Sequence, residues 1–183
     1  MKKIFKDYKL KNIPLLIAII AVILSGLQIY NSNKISKADF GFKFLNNFNK
    51  KETKDLELMF DNDLLNYRTA CIDSDSIAYF EFDYKKYHAY PDTLILQLKP
   101  KRIYSAYEID NYLLMQYEDI GYYETHNLID IDFIYSHFGY YLITTYENKN
   151  IKRYIKFIKS DKENGNSEYC KYYDHIYNKL VKR

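Results

Sequence analysis

Six cations fall between residues 149 and 162: Lys149, Lys152, Arg153, Lys156, Lys159 and Lys162, against the single acid Asp161. With Tyr154 and Phe157 interleaved, this spacing describes an amphipathic basic helix. Its chemistry would be phosphate binding, to anionic lipid or to a nucleic acid backbone. Lipid is the better fit, because an apolar segment near the N-terminus already holds the chain at a membrane. The lipid-contacting residues would be Lys149, Lys152, Arg153, Lys156 and Lys159. The opposite charge gathers in residues 52–84, where nine acids meet only Lys54 and Arg68, a net −7 against the net +5 of 149–162. The plainest expectation is that the two segments face one another or that each is a solvated face.

Other residue types that do chemistry do not combine. Asp73 and Asp75 have the first spacing of a calcium loop, but Ile77 stands at the next ligand position and Ala78 at the turn glycine. Asp61, Asp63, Asp130 and Asp132 read as helix caps and first-turn acids. His88, His126, His137 and His175 show no paired spacing, and Cys71 and Cys170 are too far apart for a Cys-x-x-Cys centre. The two thiols read as free, or as one disulfide if the body is exported. The glycines form neither a phosphate loop nor a nucleophile elbow. No catalytic, metal-ligating or cofactor-binding residue is assigned, and no cofactor is called for. A rival is a membrane-tethered enzyme in which Asp130 and Asp132 meet His137 only in three dimensions. The 22 tyrosines offer a further alternative, a binding face running from Tyr104, Tyr107, Tyr112, Tyr117, Tyr122 and Tyr123 to Tyr135, Tyr140, Tyr141 and Tyr146.

The elements that would carry these residues begin with Ile13 to Tyr30, an uncharged run of Ile, Leu, Ala and Val. At a helical rise it spans roughly 27 Å, close to the hydrocarbon thickness. No small-x-small site follows Leu24, so an uncleaved single span is expected rather than a signal peptide. Residues 1–12 are a basic tail of net +4, which leaves the rest of the 183 residues at −1 out of a total of +3. A body so nearly neutral argues against a nucleic-acid partner. The five lysines before the span, against Lys34, Lys37 and Lys43 after it, favour a cytoplasmic N-terminus.

Residues 31–50 read as a helical stalk with Phe40, Phe44 and Phe48 on one face, and 51–183 as one helical domain. Within it, Leu56, Met59, Phe60 and Leu64 predict a helix over 52–73. Ile109, Leu113, Tyr117 and Ile120 predict a second, and Ile134, Phe138, Tyr141, Leu142 and Thr145 a third after the cap Asp130. Ile151, Tyr154, Ile155 and Ile158 give a fourth, and Tyr169, Tyr173, Ile176, Tyr177 and Leu180 a fifth. His126 and Asn127 suit a left-handed turn, and Gly165 suits a break before the last helix. Between Ile77 and Leu98 the chain reads either as a small hairpin, 77–84 with 93–98, or as continued helix. The fold class expected is mainly α: one N-terminal transmembrane helix, then a helical bundle with a β-hairpin insertion near 77–98 as an option.

The stretch Tyr117, Glu118, Ile120, Gly121, then Leu128, Ile129, Asp130, then Phe133, Ile134, Phe138, Gly139 resembles the signature of a family of uncharacterised bacterial and prophage proteins. The resemblance implies one N-terminal membrane helix in a bacterial plasma membrane and a small helical domain, with no assigned activity. Gly121 and Gly139 read as sites of close helix approach. Together these features predict an integral, single-pass protein whose domain binds a protein partner or itself without catalysis.

Overall fold

The computed structural model describes the backbone of all residues except 1, 73–74, 90–97 and 161–165; the side chains of 2–16, 43, 47, 72, 75 and 166 also fall outside the description. The chain divides into Met1–Phe40 and Gly41–Arg183. Helix α1 runs Lys2–Phe48. Every residue from Ile17 to Ser36 on it is exposed. Among the described residues no helix is long and apolar enough to cross a membrane. The apolar run expected to span begins at 13, and its side chains 13–16 lie outside the described residues.

The second unit is mainly helical with a small sheet. Helix α2, Lys51–Asp61, buries Leu56, Met59 and Phe60. It stops at Asn62 and Asp63 instead of continuing to 73. Asp63 takes the left-handed conformation (φ 53°), the Leu64 amide reaches the Met59 carbonyl at 2.8 Å, and the Asp63 amide reaches that of Phe60 at 3.1 Å. This is a Schellman closure with Asp in the place usually held by glycine. Beyond it Leu65 and Tyr67 point inward while Arg68 is exposed, the two-residue period of a strand. The predicted helix over 52–73 is therefore half helix and half strand.

Strands β1 (Leu65–Ile72) and β2 (Asp75–Phe82) pair antiparallel, and β2 pairs in turn with β3 (Ile103–Ser105). A hairpin exists, but the partners of β2 are 65–72 and 103–105. The segment 93–97 proposed to pair with it lies outside the described residues. Helix α3 (Tyr84–His88) follows β2, capped by the Asp83 side chain. Ser105 and Glu108 form a reciprocal capping box that opens α4 (Ala106–Ile109). A π-helical turn, Asp110–Leu114, then leads into α5 (Met115–Thr125). The wider turn lets both Leu113 and Leu114 face inward with Ile109, Tyr117 and Ile120.

Helix α5 ends as α2 does. Asn127 has φ 58°, and the Leu128 and Asn127 amides return to the carbonyls of Tyr123 and Glu124. Here the left-handed turn expected at His126 and Asn127 is present. Helix α6 (Ile131–Glu147) buries Ile134, Phe138, Leu142 and Thr145, but Tyr141, expected inside, is exposed. Helices α7 (Lys149–Ser160) and α8 (Lys171–Val181) complete the unit, with a short 3-10 turn at Asn166–Glu168 between them. Gly165 lies outside the described residues.

Two aromatic clusters form the core. In one, Phe48 lies 5.4 Å from Tyr117 and 4.8 Å from Phe138, and Tyr117 5.0 Å from Tyr173. In the other, Phe80 meets Phe60 at 5.5 Å, Tyr67 at 5.7 Å and Tyr154 at 5.4 Å, joining the sheet to α2 and α7. Gly121 permits the contact of α5 with α8: a methyl group there would sit 2.0 Å from the Tyr172 carbonyl oxygen. Gly139 is different, since among the described residues a methyl group would meet only Tyr135 and Ile134 of its own helix, at 3.5 Å or more. It is not a site of close helix approach.

Candidate functional site

Asn148 joins α6 to α7 and fixes where the basic helix starts. Its side-chain oxygen accepts from the amides of Asn150 (2.9 Å) and Ile151 (3.4 Å). Its nitrogen donates to the Phe60 carbonyl and to Asp63. The cap is thus also a pin to the end of α2. Asn150, buried, accepts from the Tyr67 amide on the edge of β1 at 3.1 Å. With the helix held at that point, Ile151, Tyr154 and Ile155 turn into the core. Lys149, Lys152, Arg153 and Lys156, spaced i, i+3, i+4 and i+7, emerge exposed on the outer face.

Of the five cations expected to contact lipid, these four share one stripe and the fifth does not belong to it. Lys159 is half-buried and bound to Asp174 at 2.6 Å. Tyr154, expected among the interleaved aromatics of a binding face, is fully buried. Phe157 is half-buried, 6.3 Å from Tyr67. Among the described residues no ion pair joins 149–160 to the acids of 52–84. Those acids find other partners: Glu81 meets Arg68, Asp63 meets Lys86, and Asp83 caps α3.

The interior acids are held by tyrosine hydroxyls. Asp110, at the start of the π-helical turn, accepts from Tyr154 on both carboxylate oxygens at 2.9 Å and from Tyr169 on one. Tyr117 donates to Glu57 at 2.7 Å, and Tyr146 to Asp174 at 2.7 Å. Burial pushes the Asp110 carboxyl up, with the Tyr169 and Tyr154 bonds opposing. Burial also pushes Glu57 up to about 7 against the Tyr117 bond. Glu118 spans two backbone amides, those of Tyr172 and Tyr173 at 3.1 and 2.8 Å. It thereby caps α8, whose preceding residue Cys170 is in the left-handed conformation and makes no side-chain cap.

Sequence periodicity could not find these bonds, because it treats tyrosine as another apolar residue. The available signal was tyrosine, in place of Phe or Leu, at the inward positions 117, 154 and 173. A buried hydroxyl requires a partner.

The other candidates disperse. Asp130, Asp132 and His137 do not converge: Asp132 pairs with Arg183, and His137 turns back to the Phe133 carbonyl at 2.9 Å while stacking on its ring. Asp130 precedes α6 without a side-chain cap bond. His126 likewise bonds the Tyr122 carbonyl of its own helix, and His175 lies 3.5 Å from Glu124. Cys71 is exposed and Cys170 buried, both free. The proposed tyrosine face divides into the buried Tyr104 and Tyr117, the half-buried Tyr123 and Tyr146, and the exposed Tyr107, Tyr112, Tyr122, Tyr135, Tyr140 and Tyr141. Glu57 lines a cleft of about 470 Å³ with Lys51, Lys54, Asp55, Asp61 and Tyr141, yet only Tyr117 bonds its carboxyl among the described residues. Among the described residues no group of three or more His, Cys, Asp or Glu is placed to hold a metal ion.

No family model, curated protein or solved structure matches the chain.

Proposed function

We propose that the chain is a single-pass membrane protein, anchored through residues 13–30, whose unit Gly41–Arg183 works without catalysis as an interaction module beside the bilayer. One observation carries the anchor. On α1 the residues Ile17, Ile19, Ile20, Val22, Ile23, Leu24, Leu27 and Ile29 are all about half exposed or more. They cover about two thirds of the circumference, and with Ala18 and Ala21 in the remaining sector, beside Ser25 and Gln28, apolar residues reach every side of the helix. A helix that is apolar all round requires an apolar surrounding, and a bilayer supplies one. The resemblance to a bacterial and prophage family with one N-terminal membrane helix agrees with this placement, in a plasma membrane with the N-terminus cytoplasmic.

The non-catalytic reading is supported by where the acids go. Glu57, Asp110, Glu118 and Asp174 are each engaged in holding helices together. The exposed Tyr107, Tyr135 and Tyr140 leave aromatic surface for a protein partner or a second copy.

Alkaline extraction of membranes carrying the full chain tests the anchor. The chain is expected to stay in the pellet, and Ile20→Lys with Ile23→Lys is expected to release it, since each lysine at mid-span costs roughly 2.5–3.5 kcal/mol. Release of the unaltered chain overturns the anchor. Crosslinking in the intact membrane tests the module. A discrete species larger than the monomer is expected, and the monomer alone overturns the interaction.

A further inference from the structure

Among the described residues the outer stripe of α7 has no counter-ion, although several carboxylates lie on the elements around it. Asp63 is taken by Asn148 and Lys86, Asp110 by Tyr154 and Tyr169, Asp174 by Lys159 and Tyr146, Glu147 by Tyr177, and Glu81 by Arg68. Lys149, Lys152 and Lys156 stand exposed with no ion pair among the described residues, and Arg153 lies 5.6 Å from the centre of the Tyr67 ring. The described part of α7, 149–160, contains no acid. An uncompensated stripe of four positive charges is complementary to a surface of negative ones.

We infer that this face of α7 rests on anionic lipid, with Lys149, Lys152, Arg153 and Lys156 against the phosphate headgroups; the inference rests on the anchored reading above and names the surface the domain meets. The adhesion is electrostatic and peripheral. The apolar side of α7 is already in the core as Ile151, Tyr154 and Ile155, so the helix has nothing left to insert among the acyl chains. A nucleic acid fits less well, because the aromatics that would stack on bases are turned inward: Tyr154 is buried and Phe157 packs by Tyr67.

The full chain carrying Cys71→Ser and Ser160→Cys is labelled with a fluorophore at the exposed end of α7. It is reconstituted in phosphatidylcholine vesicles with and without phosphatidylglycerol, each containing a nitroxide-headgroup lipid as quencher. Quenching is expected to rise severalfold with phosphatidylglycerol. It should fall back in about 0.5 M salt, and in Lys152→Gln/Arg153→Gln/Lys156→Gln. Each neutralised cation weakens the contact about fivefold. A thermal midpoint close to that of the parent shows that the variant is folded. Equal quenching in the two vesicles, or quenching untouched by the triple variant, overturns the inference. So does a single-stranded oligonucleotide that binds the chain without vesicles and displaces it from phosphatidylglycerol, which assigns the face to nucleic acid. Should the chain fail to float with phosphatidylcholine vesicles, the anchor is lost. The inference about α7 then stands or falls on phosphatidylglycerol-dependent flotation abolished by the triple variant.

Discussion

Two regions of the second unit treat charge in opposite ways. At the junction of α2, α5, α7 and α8, carboxyl groups are drawn out of water and met by the hydroxyls of Tyr117, Tyr154 and Tyr169. On the outer face of α7, Lys149, Lys152 and Lys156 stay in water with no ion pair among the described residues, and Arg153 lies over the Tyr67 ring. Had the −7 segment faced the +5 segment, one of the two arrangements expected, both charges would have been cancelled. The fold instead meets Glu57 and Asp110 with tyrosine hydroxyls and Asp63 and Glu81 with Lys86 and Arg68, and among the described residues no acid pairs with Lys149, Lys152 or Lys156. Buried charge here is structural and surface charge is available, a distinction that net charge per segment conceals.

The comparison is broken most directly at Tyr154, which belongs to both regions by sequence and to the interior by structure. Tyr154→Ala removes a fully buried ring from the cluster of Tyr67 and Phe80 and both bonds to Asp110. A loss of about 3–5 kcal/mol is expected in urea unfolding. Tyr154→Phe keeps the ring and removes only the hydroxyl, for about 1–3 kcal/mol. Equal effects of the two would mean that the hydroxyl, not the ring, carries the contribution. A Tyr154→Phe chain as stable as the parent would mean that Asp110 does not need the Tyr154 hydroxyl beside that of Tyr169.

The next test uses pH. Glu57 has an ordinary value of 4.5 and burial lifts it to about 7, so the folded chain holds that proton more tightly than the unfolded one. The sign follows: this stabilisation is full below about pH 4.5, declines as pH rises and is gone above about pH 7. Over that window it amounts to about 3 kcal/mol. Glu57→Gln removes the titration, so its stability should exceed that of the parent at pH 8 and show a flatter slope between pH 5 and 7. An unchanged slope would show that water reaches the carboxyl and that it is not an interior charge.

Much of the helical part was legible because apolar spacing reports burial directly. Ile109, Leu113, Tyr117 and Ile120 are all inside as predicted, as are Ile151 and Tyr154. The strand β1 was not legible, although its entrance uses the same device that was read at His126 and Asn127. Both helices end with a left-handed Asx residue and two returning amides. After Asn127 the chain begins a new apolar phase, so the turn stands out. After Asp63 the residues Leu64 and Leu65 extend the phase of α2, and the break was hidden by hydrophobic residues that serve a sheet. The candidate site was half legible. Spacing placed four cations on one stripe, but only the fold could show that Lys159 is diverted to Asp174 and that the apolar face of α7 is consumed by the core.

The smallest expected effect is the sharpest test of the outer face. If the exposed cations of α7 are truly uncommitted within the chain, Lys152→Gln and Lys156→Gln should each leave thermal stability within about 0.5 kcal/mol of the parent. Arg153→Gln should lose slightly more, about 0.5–1 kcal/mol, because its guanidinium lies over the Tyr67 ring. The order matters more than the values. A loss above about 1 kcal/mol at Lys152 or Lys156 would place those lysines in a stabilising network of the fold. The stripe would then be part of the interior's charge economy and not a surface left open for an anionic partner.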